Sequence, residues 1–176
     1  MKTDGRQGKA IDLSARIPAP SQSSCAASNS PKLLVELVPR PCFWANLRTN
    51  LPSKEWDRLR KRCYEKANYC CEICGGIGKK HRVECHEMWE YNDDRCLQKL
   101  TGLVALCPAC HATKHAGLSA TRGELNRVYQ QLMKVNGWTR AEAIDHVAGA
   151  FAVWNDRSLH GWDRDLSWLE ENHEED

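Results

Sequence analysis

This sequence is poor in phenylalanine and contains no long apolar run. Only two of its 176 residues are Phe, and no segment approaches the about 18 consecutive apolar residues that a membrane-spanning helix needs. The first twenty residues also lack the apolar stretch of a secretory signal, so we expect a cytoplasmic protein without a membrane partner. In such a chain, ten cysteines are more typical of metal ligands than of disulfides.

Composition and motif spacing divide the chain into four predicted segments. Residues 1–30 are rich in Ser, Ala and Pro without periodicity, which predicts a flexible N-terminal tail. After the tail we expect a short strand and basic helix at 31–67, a cysteine- and histidine-rich core at 68–117, and a helical extension with an acidic tail at 118–176.

Several secondary-structure elements outside the core can be predicted from local signals. Leu33–Val38 favours a short strand or an extended edge segment, and the following helix begins with Ser53 as its predicted N-cap. A helix is predicted at Thr121–Val135, ended by Gly137, and the next begins at Thr139 with the capping-box pattern T-x-x-E. We expect Leu166–Leu169 to form a short strand or a docking segment.

Charge is distributed unevenly, although the formal net charge is only +2. Residues 46–82 hold ten basic and four acidic residues, a net of +6, whereas residues 163–176 hold seven acids and one Arg, a net of −6. A basic stretch of this kind is typical of a nucleic-acid contact and, equally, of a solvated helix face.

Two C-x2-C pairs, Cys71 with Cys74 and Cys107 with Cys110, are separated by 32 residues. Each pair forms a tight turn that directs two thiolates to one point, at about 2.3 Å from a metal ion. Four thiolates favour zinc, and a closed four-cysteine site is structural. Cys70 is a less well spaced alternative to Cys71.

Histidines accompany this predicted zinc site. Val83-Glu-Cys-His86 favours a strand, and so does Gly102–Leu106, which leads into the second cysteine pair. If that pair opens a helix, His111 and His115 lie one turn apart on one face, where two imidazoles can share a metal.

The string C-x2-C-G … E-C-H-E … G-L-V-A-L-C-P-A-C-H-A-T-K-H resembles the HNH endonucleases over about residues 68–117. The resemblance implies an α+β fold: a small zinc-braced ββα-metal core, also called a His-Me finger, with flanking helices. It also implies a prokaryotic or phage setting and metal-dependent hydrolysis of phosphodiester bonds in DNA.

The resemblance further implies roles for individual residues. His111 corresponds to the last histidine of the motif, a ligand of a catalytic Mg²⁺ or Mn²⁺ ion, and His115 is an optional second ligand. His86 then acts as general base, with the unsuitable Cys85 in the preceding ligand position. Alternatively His86 is the ligand and Glu87 takes the base position.

Two departures from the family pattern need substitutes. Glu84 or Glu87 could supply the oxygen ligand that Cys85 cannot, since a thiolate suits Mg²⁺ poorly. Gly102 stands where the family usually has Asn, and a residue of the connecting loop would take its place: Asn92, Asp93 or Asp94.

DNA is the expected partner, and seven basic side chains are candidates for contacts to its phosphates: Arg58, Lys61, Arg62, Lys79, Lys80, Arg82 and Lys114. Two other functions stay open, a catalytically inactive zinc module that binds nucleic acid and a protein-interaction adaptor. The sequence also leaves the assembly open, with a homodimer or a larger nucleic-acid-processing assembly as alternatives.

Overall fold

The structure, a computed structural model, describes residues 32–172, apart from the side chains of residues 44 and 45. Within these residues, a 3₁₀ turn at Arg40–Ala45 precedes seven helices and three strands. The helices are α1 Leu47–Asn50, α2 Ser53–Lys66, α3 Pro108–Lys114, α4 Ala116–Thr121, α5 Leu125–Asn136, α6 Arg140–Arg157 and α7 Ser167–Glu171. The strands are β1 Glu84–Asn92, β2 Leu97–Leu106 and β3 Asp163–Asp165.

This mixture confirms the predicted α+β class. The predicted tail at 1–30 and the last residues of the acidic tail, 173–176, lie outside the described residues. The predicted segment boundaries stay predictions.

The sheet is built on a long hairpin. β1 pairs antiparallel with β2, and β3 adds to β2 in parallel, giving the order β1-β2-β3. His86 lies opposite Val104, and the register shifts between Met88 and Trp89. The predicted strands around His86 and before Cys107 are therefore confirmed as parts of this hairpin, followed directly by α3.

The two faces of the hairpin pack against different helices. Because successive side chains of a strand point to opposite faces, His86, Val104 and Leu106 share one face, and Cys85 and Ala105 share the other. Val104 and Leu106 join the main core with residues of α3, α5 and α6. Cys85 and Ala105 instead pack with Cys63 of α2 in a smaller core. The sheet thus separates α2 from α3.

The extended segment before the first turn forms no strand, although its apolar residues are buried as expected. Leu33 and Val35 insert into the main core. Side chains take the place of a partner strand, since the backbone N–H of Leu33 donates to Asn136 Oδ1 at 2.9 Å and that of Val35 to His146 Nε2 at 2.9 Å.

Ser53 is not the N-cap that the sequence predicts. It is the first residue of α2, and Pro52 occupies the cap position without a capping hydrogen bond from a side chain of the described residues. Pro52 has extended backbone angles and cannot donate a hydrogen bond, which suits the position just before a first turn.

The C-terminal helices follow their predicted signals with one break. The helix predicted at Thr121–Val135 begins only at Leu125, as α5, because Thr121 is the last residue of α4 and Gly123, with φ +68°, lies between the two helices. Gly137 ends α5 with φ 72°, and the capping box forms, with Thr139 N–H donating to Glu142 Oε2 at 2.7 Å. Within residues 32–172 no helix combines the length and the apolarity that crossing a bilayer requires.

Of the two expectations for Leu166–Leu169, a short strand or a docking segment, the strand is wrong, and the contact of α7 with β2 agrees with a docking segment. The strand is β3, three residues earlier, and Ser167 begins α7. Asp165 causes the change of direction, because its carboxylate accepts the backbone N–H of Ser167 at 2.9 Å and the chain then turns into a helix.

Candidate metal centres and active site

The four predicted zinc ligands come together in the structure. The sulfur atoms of Cys71, Cys74, Cys107 and Cys110 all lie within 4.8 Å of one another, and those of Cys74 and Cys107 are 3.6 Å apart. Tetrahedral bonds of about 2.3 Å place sulfur atoms about 3.8 Å apart, so the four sulfur atoms are close to the arrangement that a zinc ion requires. The cluster contains Cys71 and not the alternative Cys70.

Local backbone geometry produces this arrangement. Gly75 has φ +70° and donates its N–H to Cys71 O at 2.8 Å, which closes the first turn. Cys107 is the residue before α3 and accepts the N–H of His111 at 2.9 Å, so the second pair spans the beginning of that helix. Glu72 joins the first turn to β2 through hydrogen bonds in both directions with the backbone of Ala105.

Contacts among the thiols separate their pKa values. A hydrogen bond from Cys110 lowers the pKa of Cys71 to about 4, and the same contact raises the pKa of Cys110. Gln131 Nε2 also donates to Cys110 Sγ, at 3.1 Å, and is buried. These contacts favour ionisation of Cys71 over Cys110, and deprotonation of all four neighbouring thiols requires a metal ion.

A second cluster contains three imidazoles: those of His86 in β1, His111 in α3 and His115, the residue directly after α3. Nitrogen atoms of His86, His111 and His115 are within 4.8 Å of one another, and the Nε2 atoms of His111 and His115 are 3.2 Å apart. The ring of His86 is 5.3 Å from that of His111 and 4.9 Å from that of His115. Metal–nitrogen bonds of about 2.1 Å place two nitrogens at a comparable separation, so these residues fit one ion.

The surroundings keep all three histidines neutral at neutral pH. Burial, reinforced by His115, His111 and Lys114, lowers the pKa of His86 to about 2. Burial likewise lowers the pKa of His115 to about 4 and also lowers the pKa of His111. Since a metal binds the unprotonated imidazole, the cluster is prepared for a cation.

Glu84 lies behind His111, away from the point where the imidazoles meet. One carboxylate oxygen contacts Nδ1 of His111, and the other contacts Nε2 of His81. A carboxylate on Nδ1 fixes the tautomer whose Nε2 carries a lone pair, a common arrangement behind metal-binding histidines. The geometry therefore favours Glu84 as an orienting group; the predicted role as a ligand has no support from its position.

Glu87 and Cys85 occupy the opposite sheet face. The carboxylate of Glu87 accepts hydrogen bonds from Leu47 N at 2.7 Å and Trp89 Nε1 at 3.2 Å, and burial raises its pKa. The Cys63 thiol raises the pKa of Cys85 by contacting it. The structure does not bring either residue to the histidine cluster.

The residues predicted to replace the family's Asn, which are Asn92, Asp93 and Asp94, lie at or after the end of β1 and are distant from His86. Asn92, at the end of β1, lies six residues from His86, which corresponds to about 20 Å along a strand. Asp93 is bound by Arg157, with Nε to Oδ1 at 2.6 Å. Gly102 itself lies opposite Met88, whose Cε would be 2.9 Å from an added Cβ.

The predicted phosphate contacts divide into three groups. Arg58, Lys61 and Arg62 belong to α2, on the sheet face away from the histidines, and Nη1 of Arg58 is buried without a hydrogen bond from the described residues. Lys114 lies 2.5 Å from Glu36. Exposed basic residues precede β1 near Glu84, and these are Lys79, Lys80 and Arg82.

Comparisons with known proteins give one distant similarity. The Zorya protein ZorE of Escherichia coli is 28% identical over 110 residues, which cover 61% of this chain and 28% of ZorE. The chain thus spans less than a third of the length of the relative that it matches. No protein-family model and no solved structure matches the chain.

Two residues that contact members of the candidate sites, Gln131 and His81, are not among the residues predicted from the sequence. Gln131 could have been found, because it is a polar residue on the buried face of α5 beside Val128 and Leu132. His81 could not, because the loop that brings it to Glu84 has no periodicity and its neighbours are exposed basic residues.

Proposed function

We propose that this protein is a metal-dependent endonuclease of the HNH type that hydrolyses phosphodiester bonds in DNA. The observation that carries the proposal is the meeting of His86, His111 and His115 on a β-hairpin and helix whose base holds four cysteines. A purely structural zinc module has no need for a second group of three neutral imidazoles.

In this proposal His86 is a metal ligand. Its nitrogen belongs to the same group as those of His111 and His115, and a lone pair that binds a metal cannot also accept a proton. A divalent ion bound here would stabilise negative charge on the scissile phosphate and on the leaving 3′ oxygen. Three protein ligands leave coordination positions open, as catalytic sites require.

The donor set also bears on the choice of metal. Mg²⁺ prefers oxygen ligands at about 2.1 Å, whereas imidazoles suit transition metals such as Zn²⁺ or Ni²⁺. We therefore propose that Mn²⁺ or a later transition-metal ion supports activity better than Mg²⁺, since no carboxylate lies among the three donors.

Binding of DNA would rest on Lys79, Lys80 and Arg82, which are exposed and precede Glu84 in the chain. Lysine and arginine contacts to phosphates position the nucleic acid and carry little sequence information. The proposal therefore predicts binding that weakens steeply with salt and discriminates little between sequences.

Cleavage of supercoiled plasmid with Mn²⁺ tests the proposal. The parent and a His160→Ala control, altered at an exposed histidine after α6, are expected to give nicked or linear DNA, and His111→Ala is expected to give none. No product from the parent, with salt-sensitive DNA binding retained, would instead support an inactive nucleic-acid-binding module. Absence of any DNA affinity would favour a protein-interaction adaptor.

A further inference from the structure

His111 has different partners on its two ring nitrogens. Its Nε2 lies 3.2 Å from Nε2 of His115, where the imidazoles of the cluster meet, and its Nδ1 contacts a carboxylate oxygen of Glu84. A neutral imidazole carries its proton on one nitrogen only, so Nε2 can bind a metal when Nδ1 holds the proton. Glu84 therefore has to stay beside Nδ1 for His111 to serve the proposed metal site.

Glu84 contacts a second histidine, which lies outside the donor set. Its other carboxylate oxygen contacts Nε2 of His81. An ionised carboxylate only accepts hydrogen bonds, so both ring nitrogens donate to it. The Glu84 side chain is flexible and 31% exposed. The contact with His81 therefore limits rotations of the carboxylate that the contact with His111 alone would allow.

The loop that carries His81 packs closely against α3. Gly78 N–H donates to the carbonyl oxygen of Arg82 at 2.9 Å, which closes a turn around His81. A Cβ on Gly78 would lie 2.2 Å from the carbonyl oxygen of His81 and 2.7 Å from Pro108, the first residue of α3. Only glycine permits this approach, so the backbone at His81 lies close to the helix that carries His111.

We propose that His81 is a positioning residue that acts through Glu84 to direct Nε2 of His111 to the histidine cluster. The N–H of His81 fixes the carboxylate of Glu84, and that carboxylate fixes the proton of His111 on Nδ1. The lone pair of His111 Nε2 then faces the nitrogens of His86 and His115. The proposal rests on the proposed function, since the ion that these residues serve is the one proposed for phosphodiester hydrolysis.

The tautomer of His111 gives a readout that requires neither DNA cleavage nor an ion at the histidine cluster. Nitrogen-15 NMR of the imidazole rings, in zinc-loaded protein without Mn²⁺ at neutral pH, distinguishes Nδ1–H from Nε2–H. We expect only Nδ1–H at His111 in the parent and in the His160→Ala control, and a mixture of both tautomers in His81→Ala. His81→Gln should resemble the parent, because its amide N–H can replace the Nε2–H as donor.

Metal affinity tests whether the effect of His81 passes through Glu84. We expect His81→Ala to weaken Mn²⁺ binding, measured by calorimetry, about 10-fold or more, the usual effect of losing a group that orients a metal ligand. Glu84→Ala should weaken Mn²⁺ binding at least as much. The double variant should bind no more weakly than Glu84→Ala alone, because the two residues then belong to one chain of contacts.

Two results would overturn the proposal. A pure Nδ1–H tautomer of His111 together with parent-level Mn²⁺ affinity in His81→Ala would show that Glu84 needs no second partner. Additive losses in the double variant would show that His81 acts independently of Glu84. Plasmid cleavage is measured separately, and a parent with the expected tautomers and affinities that does not nick DNA would support the positioning role and overturn only the nuclease function.

Discussion

Cys110 and His111 are adjacent in α3, yet their side chains enter two different clusters. Cys110 joins the four cysteines and receives a hydrogen bond from Gln131, whereas Nε2 of His111 faces that of His115 at 3.2 Å. Consecutive residues of a helix point about 100° apart, so one short helix can serve two sites. A structural metal that fixes the first turn of α3 therefore also fixes the position of His111.

Loss of one zinc ligand should remove the metal and unfold the core. We expect Cys71→Ser to lose zinc and the cooperative thermal transition, because structural zinc contributes about 10 kcal/mol or more to the folding of small domains. Cys96→Ser, outside the cluster, is the matched control. Metal content and thermal circular dichroism measure the effect, and an unchanged melting temperature in Cys71→Ser would contradict it.

Gln131 should tune the zinc site without being a ligand. Its Nε2 donates to Cys110 Sγ at 3.1 Å, and both residues are buried. We expect Gln131→Met, which keeps the volume and removes the donor, to weaken zinc affinity about 10-fold or more. Competition with a chelating dye provides the measurement; equal affinity in the two proteins would show that the hydrogen bond has no influence.

The basic loop before β1 should contribute more to DNA binding than the basic helix. Lys79 and Lys80 are exposed near Glu84, whereas Lys61 and Arg62 are exposed on α2, across the sheet from the histidines. The double substitutions Lys79→Ala/Lys80→Ala and Lys61→Ala/Arg62→Ala remove the same charge. We expect the loop pair to reduce the slope of log affinity against log salt by about two, one for each lost phosphate contact.

The helix pair should change that slope by less than the loop pair does. Fluorescence anisotropy with a labelled duplex at four salt concentrations measures both variants. A larger effect from Lys61→Ala/Arg62→Ala would place the DNA on the α2 face and separate it from the histidine cluster.

His146 should make the protein less stable in mild acid. Burial, with a smaller contribution from Lys114, lowers its pKa in the folded state, and its Nε2 accepts the N–H of Val35 at 2.9 Å. Because the unfolded state then binds the proton more tightly, this contribution is complete above about pH 6.5 and decreases as the pH falls below it. His146→Gln should show a smaller loss of unfolding free energy between pH 7 and pH 5, measured with urea; identical pH slopes would contradict this role.

Cysteine and histidine spacing predicted both clusters, since a C-x2-C turn and an i, i+4 pair constrain side chains locally. The strand, helix and capping signals around Cys107, Gly137 and Thr139 were confirmed for the same reason. The role of Leu33–Val38 was harder to predict, because its hydrogen-bond partners come from residues more than 100 positions away.

The contacts that the side chains of β1 make depend on the register in which β1 pairs with β2. Once His86 lies opposite Val104, the alternation of β1 sends Glu87 to the α2 face and leaves Glu84 beside His111. A one-residue change of register would exchange these positions, and no local pattern in the sequence distinguishes the two registers. The sequence alone therefore does not distinguish the roles of His86 and Glu87.

The number of metal ions bound per chain tests most directly whether α3 carries ligands of two separate metal sites. Native mass spectrometry of the zinc-loaded protein with added Mn²⁺ should show two ions per parent chain. The variant His86→Ala/His111→Ala/His115→Ala should keep one ion, remain folded and fail to nick plasmid DNA. Two tightly bound ions in that variant, or plasmid nicking equal to that of the parent, would contradict the account.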